Sequence, residues 1–380
     1  MNITKCSNTI LNLRPAIFIF LIVLSLLYAF PFVPILYNIG FVSLVLLLIT
    51  SCINLIFRKE YTTAKQFFFC LLIGGYLLFV SEFNNTTNYA YGILIQLSMF
   101  IFPYSLLSAS EINSGAAKSI EKLCSMLFVA ILVFVFYVQL KYGNSADLIN
   151  ASLLKTSVAL SYFFIISNKK SKLVAILTSS AVFFLLGERT SAAVLLFVYI
   201  IYRLLGCKIS KGFYNFIFVF IFSIAVIFPF LYIELKYSNI GLMLNEISRE
   251  YTGDNFFSGR EIIWEGILEG NKDNVLLGQG VNSGFLKSRL NTDLSTHNLY
   301  MFLYLEGGVV LLFMFFLFVA SIWGKFYNFI YMERARLSAA FFVGILLFSD
   351  FELLLLTNNI LASIVFWFII SYGLIVKKIA

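Results

Sequence analysis

Long apolar runs, separated by short polar segments, repeat from one end of the chain to the other. Most of these runs reach about 18 residues, the length at which an apolar helix becomes a candidate to cross a bilayer. We therefore predict an all-α polytopic membrane protein with about twelve transmembrane helices. The expected spans are 16–34, 36–57, 66–81, 89–107, 123–141, 152–167, 173–187, 190–205, 213–234, 296–322, 337–356 and 358–376.

Composition agrees with a membrane protein. Hydrophobic residues make up 61% of the chain and charged residues only 12%, against about 25% charged residues in soluble proteins. The first apolar run follows Arg14 and lacks a small-residue cleavage site, so we interpret it as a retained span and not as a signal peptide. We find no internal repeat or linker, and we treat residues 1–380 as one membrane domain.

The lysines and arginines predict the orientation of the chain. With both termini in the cytoplasm, most of the 27 cationic residues fall in inside segments, as the positive-inside rule requires. These inside residues are Lys5, Arg14, Arg58, Lys59, Lys65, Lys118, Lys122, Lys169, Lys170, Lys172, Arg203, Lys208, Lys211, Lys325, Arg334, Arg336, Lys377 and Lys378. The net charge of +8 thus marks a cytoplasmic rim, and no soluble basic face for nucleic acid is expected.

One predicted outside loop, residues 236–295, is much longer than the others. Within it, "SGREIIWEGILEG" (258–270) predicts a short helix, and Ser258 and Glu261 have the spacing of a capping box. One face of that helix would carry Arg260, Trp264, Ile267 and Leu268. The glycines of "NVLLGQGVNSGF" (274–285) indicate turns. We expect this loop to form a periplasmic subdomain of the membrane domain.

The only histidine, His297, lies where this loop enters the tenth span. Asn298 and Tyr300 follow it, and "EGG" at 306–308 is expected to loosen the helix near Glu306. Glu306 lies nine residues after His297, on about the opposite side of a straight helix, so the pattern leaves open whether they meet. His297 has two interpretations: a histidine at the lipid headgroups, or a functional group.

Three outside arginines complete the candidate site. Arg189 lies in the short turn "GERTS" (187–191), Arg260 begins the predicted loop helix, and Arg289 lies further along the loop. Each is compatible with a solvated surface charge. Arginine, however, binds phosphate oxygens through paired hydrogen bonds, and histidine exchanges a proton near neutral pH. Together they suit the binding of a diphosphate leaving group and the activation of an acceptor hydroxyl. A lone histidine and no D-x-D pair predict no metal site and no cofactor.

Three stretches resemble the bacterial O-antigen polymerase (Wzy-type) and O-antigen ligase family. "GERTS" is similar to an Arg-Ser/Thr element, "SGREIIWEGILEGNKDNVLLGQG" to an Arg, Trp and G-x-G loop element, and "THNLYMFLYLEGG" to an H-N-x-x-L/Y element followed by Glu-Gly. Their order, and the long loop before the last three spans, also match. The resemblance places the family's functional residues at Arg189, Arg260 and His297, with His297 as general base. Asn298, Tyr300, Glu306 and Arg289 are expected to bind substrate.

The resemblance implies a GT-C-like helical fold in the inner membrane and an undecaprenyl-diphosphate-linked oligosaccharide as donor. In a polymerase the acceptor is a second lipid-linked repeat unit, and in a ligase it is the lipid A core. We favour the polymerase, because the chain is rich in Phe and Tyr and weakly patterned, as divergent polymerases are. A chain-length regulator protein is a further partner that the sequence leaves open.

Two other classes of protein remain. A flippase or another transporter would explain twelve spans, but it should carry paired charges in mid-span. The best candidates for such charges are Lys155, Asp350 and Glu352, which all lie near outer span ends. A structural scaffold would tolerate the loss of His297.

Overall fold

The computed structural model describes residues 61–86, 89–107, 112, 114–142, 147–168, 171–252, 255–257, 259–290, 295–353, 355–356 and 360–376. Within these residues the chain forms thirteen α-helices and no strand, which confirms the all-α prediction for this part. The helices are α1 (Tyr61–Phe83), α2 (Tyr89–Leu107), α3 (Ser114–Tyr142), α4 (Asp147–Ser167), α5 (Lys172–Leu185), α6 (Arg189–Leu204), α7 (Lys211–Lys236), α8 (Asn239–Thr252), α9 (Arg260–Gly270), α10 (Phe285–Leu290), α11 (Leu299–Tyr327), α12 (Glu333–Phe348) and α13 (Ile360–Ile375).

Ten of the predicted spans correspond to helices, and the first two lie outside the described residues. Three helical segments in the described part are long and apolar enough to cross a bilayer: Gly115–Lys141, Lys211–Lys236 and Leu299–Tyr327. Large apolar side chains on α3 and α7 are exposed, among them Val133 at 64% and Leu231 at 62%. In water such a surface would be unfavourable, and in a bilayer it contacts lipid.

Several predicted span ends differ from the helix ends, among them the start of α3, which is Ser114 and not 123, and two differences fall at the candidate site. The tenth span begins at Leu299 and not at 296, because Asn298 caps the helix with its side-chain oxygen. The eleventh ends at Phe348 and not at 356, and Ser349 to Glu352 form a turn. Two non-helical segments therefore meet near His297: the one before α11 and the turn after α12. Both contain polar residues.

Charged side chains lie at opposite ends of the bundle. At the start of α12, Arg334 binds Glu121 of α3 through two hydrogen bonds of 2.6 and 3.2 Å, and Tyr372 also donates to Glu121. At the far end, Glu352 follows the last turn of α12. The first group lies in the rim that the sequence assigns to the cytoplasm, and the second lies beside the long loop.

The long loop is itself helical over much of its length. The structure confirms the predicted loop helix as α9, with Trp264 and Ile267 fully buried against the bundle. Ser258 of the predicted capping box lies outside the described residues; α9 is preceded by Gly259, with no side-chain cap, and Glu261 lies buried beside Lys236, 3.6 Å away. The α8 helix was not predicted; its polar and apolar residues alternate with a helical period that a search for uninterrupted apolar runs overlooks.

The loop also fills a break in α11. At Gly308 the backbone has φ 62° and ψ −161°, a conformation that essentially only glycine adopts. The break removes the helical bonds from Val309 to Leu305 and from Val310 to Glu306. Loop residues supply new partners: Gln279 and Gly280 donate to the two carbonyls at 2.7 and 3.0 Å, and the carbonyls of 275 and 276 accept from the two amides at 2.9 and 3.3 Å. The expectation that "EGG" loosens this helix is confirmed.

We predict that the loop lies on the periplasmic side of the inner membrane. Glu250 is exposed on α8, and Cys207, which follows α6 at the opposite end of that helix from Arg189, is also exposed. In Glu250→Cys, a membrane-impermeant maleimide should label the new cysteine in intact spheroplasts. The parent chain is the matched control, because Cys207 should react only after the membrane is opened. Labelling of the parent before lysis, or of residue 250 only after lysis, would contradict the orientation.

Candidate functional site

His297 lies in a short non-helical segment, and both of its neighbours, Thr296 and Asn298, form hydrogen bonds to other parts of the protein. The preceding residue, Thr296, is buried, and its carbonyl accepts a 2.8 Å hydrogen bond from the indole N–H of Trp264 in α9. The backbone of His297 has φ 49°, which is uncommon for a residue with a side chain. Such a conformation persists where the surroundings fix it. The loop helix and the histidine are thus parts of one rigid arrangement.

Asn298 fixes the other side of His297. Its side-chain oxygen accepts from the amide of Met301 at 2.9 Å, and its side-chain N–H groups donate to the carbonyl and carboxyl oxygens of Asp350 at 3.0 and 3.2 Å. The amide of Leu299 donates to Ser349 at 2.8 Å. Asn298 is fully buried, and its amide is occupied by protein groups. These hydrogen bonds join the segment that carries His297 to the turn after α12.

Three charged side chains whose charges act on His297 form a cluster. Lys155 of α4 forms a 2.7 Å ion pair with Glu352, whose second oxygen lies 3.9 Å from the guanidinium of Arg260. All three side chains are partly exposed, at 26%, 19% and 27%. They come from α4, from the turn after α12 and from the first residue of α9. Three separate parts of the chain thus place two cations and one anion at a single point.

The electrostatics of this cluster favour an uncharged imidazole. Burial lowers the pKa of His297 below its ordinary 6.5, and the cations Arg260 and Lys155 lower it further, while Glu352 opposes them. Burial likewise raises the pKa of Glu188, in the turn before α6, and that carboxyl also senses Glu352, Lys155 and Arg260. At neutral pH, His297 is therefore a proton acceptor next to positive charge.

The other predicted site residues lie in different surroundings. Arg189 follows Glu188 as the first residue of α6, and Arg289 is on α10; both are exposed. Tyr300 is buried in the bundle, where its hydroxyl donates to the carbonyl of Leu346 at 2.8 Å, so the structure does not bring it to His297. Glu306 is buried and accepts a hydrogen bond from Gln96 of α2, not from His297.

A cavity of about 270 Å³ lies between the loop, Thr296 and Glu306. Thr296, next to His297, lines one part of it, and Glu306 lines another. Asn282, Ser283 and Phe285 of the loop contribute polar atoms and an aromatic ring. Its walls combine a carboxyl, hydroxyls and apolar rings, a mixture found in small-molecule sites in general.

A family model described as O-antigen ligase matches residues 156–316. The matched region is less than half of the chain, and it contains Arg189, Arg260, His297 and Glu306. This part of the chain is thus similar to the O-antigen ligase family. Members of this family are membrane enzymes of the glycosyltransferase type. No curated protein and no solved structure matches the chain.

The family resemblance identified His297 and Arg260, which the structure brings within range of each other's charge. Sequence analysis treated Lys155 and Glu352 only as candidate mid-span charges of a transporter. In the structure they do pair, but at the end of the bundle that carries the long loop, beside Arg260. The sequence did contain an indication of this pair, because both residues lie near ends of predicted spans on the same side of the membrane.

We predict that the Trp264 hydrogen bond stabilises the docked loop. Trp264→Phe leaves the buried carbonyl of Thr296 without its donor, which costs about 1–3 kcal/mol. The thermal unfolding midpoint of the detergent-purified chain should fall accordingly. Trp323→Phe is the matched control, because the buried indole N–H of Trp323 has no acceptor among the described residues. Equal shifts in the two variants would show that only ring packing, and not this hydrogen bond, holds the segment.

Proposed function

We propose that the protein is a surface-polysaccharide polymerase that joins undecaprenyl-diphosphate-linked repeat units on the periplasmic side of the inner membrane. The observation that carries the proposal is the placement of neutral His297 beside Arg260 at the docked loop. A base and a cation at one point suit a reaction in which an acceptor hydroxyl loses a proton while a phosphate leaving group gains negative charge.

In the proposed step, His297 takes the proton of an acceptor sugar hydroxyl. The acceptor oxygen forms a bond to the anomeric carbon of the donor glycan, and the bond from that carbon to the diphosphate oxygen breaks. The leaving undecaprenyl diphosphate keeps the electron pair. Arg260 binds its phosphate oxygens, because a guanidinium stays protonated and forms paired hydrogen bonds to phosphate. Arg189, exposed two residues before buried Ser191 on α6, is proposed as the second arginine.

The cavity beside Thr296 is proposed to receive a sugar ring of the acceptor. Glu306 offers an acceptor for sugar hydroxyls, and Phe285 offers an apolar face. Arg289, exposed on the adjacent α10, is proposed to contact the glycan that leaves the cavity. The exposed apolar belts of α3 and α7 are where the polyprenyl chains of both substrates would meet the bundle within the lipid bilayer.

The ligase is the second candidate, since the matching family model carries that description. In a ligase the same chemistry transfers the glycan to the lipid A core. The proposed orientation, with both termini in the cytoplasm, applies to either enzyme. A chain-length regulator is a proposed partner of the polymerase only.

We predict that His297→Gln abolishes long polysaccharide chains. Glutamine keeps hydrogen bonding but accepts no proton at neutral pH, so the loss of general-base assistance should cost about 10²–10⁴-fold in transfer rate. The measurement is the length distribution of surface polysaccharide at equal amounts of inserted protein. The matched control is Arg249→Lys on exposed α8, which should keep the parent distribution.

The products also separate the candidate functions. Loss of a polymerase leaves single repeat units on lipid A core, whereas loss of a ligase leaves polymer on its lipid carrier. Loss of a flippase leaves lipid-linked units facing the cytoplasm. Polymer of normal length from His297→Gln would contradict the role of His297 as base and favour a structural role at the interface.

A further inference from the structure

Glu352 lies between two cations, Lys155 and Arg260, whose charges act on His297. One carboxylate oxygen is 2.7 Å from the ammonium of Lys155, and the other is 3.9 Å from the guanidinium of Arg260. Carboxylate oxygens and phosphate oxygens accept the same kind of charge-assisted contact from lysine and arginine. Both Lys155 and Glu352 lie outside the region matched by the family model.

The arrangement differs from the structural ion pair at the other end of the bundle. There, Glu121 is 7% exposed, and it is held by the fork of Arg334 and by the hydroxyl of Tyr372. Glu352 is more exposed, belongs to the turn after α12, and has only a loose 3.9 Å contact to Arg260. A partly solvated pair with one long contact is weakly held. It is therefore suited to exchange its partners.

A lysine near the end of a membrane span also needs a reason for its position. Lys155 lies nine residues into α4, whose neighbouring residues Leu153, Leu154 and Thr156 are buried. A charged side chain in such a place is costly and usually serves a function. The only negative charge within ion-pair distance of Lys155 among the described residues is Glu352. When an anion enters the cluster, the ammonium is positioned to contact it.

We propose that Lys155 is an additional binding residue for the diphosphate. In the same proposal, the carboxylate of Glu352 takes the place of the diphosphate while the site is empty, and it neutralises Lys155 and Arg260. The inference rests on the proposed function, in which Arg260 binds the diphosphate. On binding, phosphate oxygens replace the carboxylate oxygens of Glu352 at both cations. Glu352 then competes with the substrate, and its charge prevents other anions from binding tightly to the empty site.

The test is the affinity of inorganic pyrophosphate for the full chain in lipid nanodiscs, measured by calorimetry. Glu352→Gln should bind about tenfold more tightly, because the competing charge is gone, and Lys155→Ala about tenfold more weakly, because a charged hydrogen bond is lost. The matched acidic control is Glu333→Gln, which removes the 3.4 Å ion pair with Lys172 at the other end of the bundle. The basic control is Lys118→Ala, exposed at that same end.

Arg260→Lys separates this inference from the proposed function. If Arg260→Lys weakens binding while Glu352→Gln and Lys155→Ala match their controls, only the inference is overturned. Unchanged or weaker binding by Glu352→Gln also overturns it. If the parent binds no pyrophosphate, or only the Lys118 control alters binding, both the inference and the proposed role of Arg260 are contradicted. Should Lys155→Ala reduce the amount of inserted protein, Lys155→Gln, which preserves a long polar side chain, takes its place in the same comparison.

Discussion

Backbone N–H and C=O groups inside a bilayer have no water to bond to, so a break in a membrane helix must find its partners within the protein. In α11 the break at Gly308 leaves two amides and two carbonyls open, and the loop at 275–280 pairs with all four. The loop is attached to the bundle for that reason. With the loop in place, α9 buries Trp264, and Trp264 in turn holds the segment that carries His297.

The site that results depends on a balance of charge. Partial burial lowers the pKa of His297, the two cations lower it further, and Glu352, which pairs with both cations, opposes them. A neutral imidazole accepts a proton, whereas an imidazolium does not. The same cations that lower its pKa are the groups that would bind a phosphate. Proton acceptance and leaving-group stabilisation therefore have one structural origin in this protein.

Much of the fold could be predicted from the apolar runs, because a membrane helix needs a length of sequence that is easily recognised. The 89–107 span agrees with α2 at both ends. The start at 296 failed because Asn298 caps α11, and the end at 356 failed because apolar residues occur again beyond Phe348, the last residue of α12. Hydrogen bonds join Asn298 to Asp350 at this point. Such pairings join residues distant in sequence, which periodicity does not reveal.

The candidate site was predictable only in part, and for a related reason. His297 and Arg260 stand in short motifs that resemble a family, so the sequence pointed to them directly. The role of Asn298 as a helix cap follows from its place before α11, but the burial of Tyr300 against Leu346 required the packing of α11 on α12. Lys155 and Glu352, which form an ion pair, lie 197 residues apart in sequence. Only the folded bundle shows that they meet.

The chain contains one histidine, so a single signal reports on the central claim. The protein, labelled with nitrogen-15 at its histidine ring and purified without a histidine tag, can be titrated in lipid nanodiscs by magnetic resonance. The account predicts that the imidazole of His297 stays neutral to a pH below 6.5, the ordinary pKa of histidine. A pKa at or above 6.5 would show that the loop does not hold His297 in a partly buried, positively charged setting, and it would contradict the account.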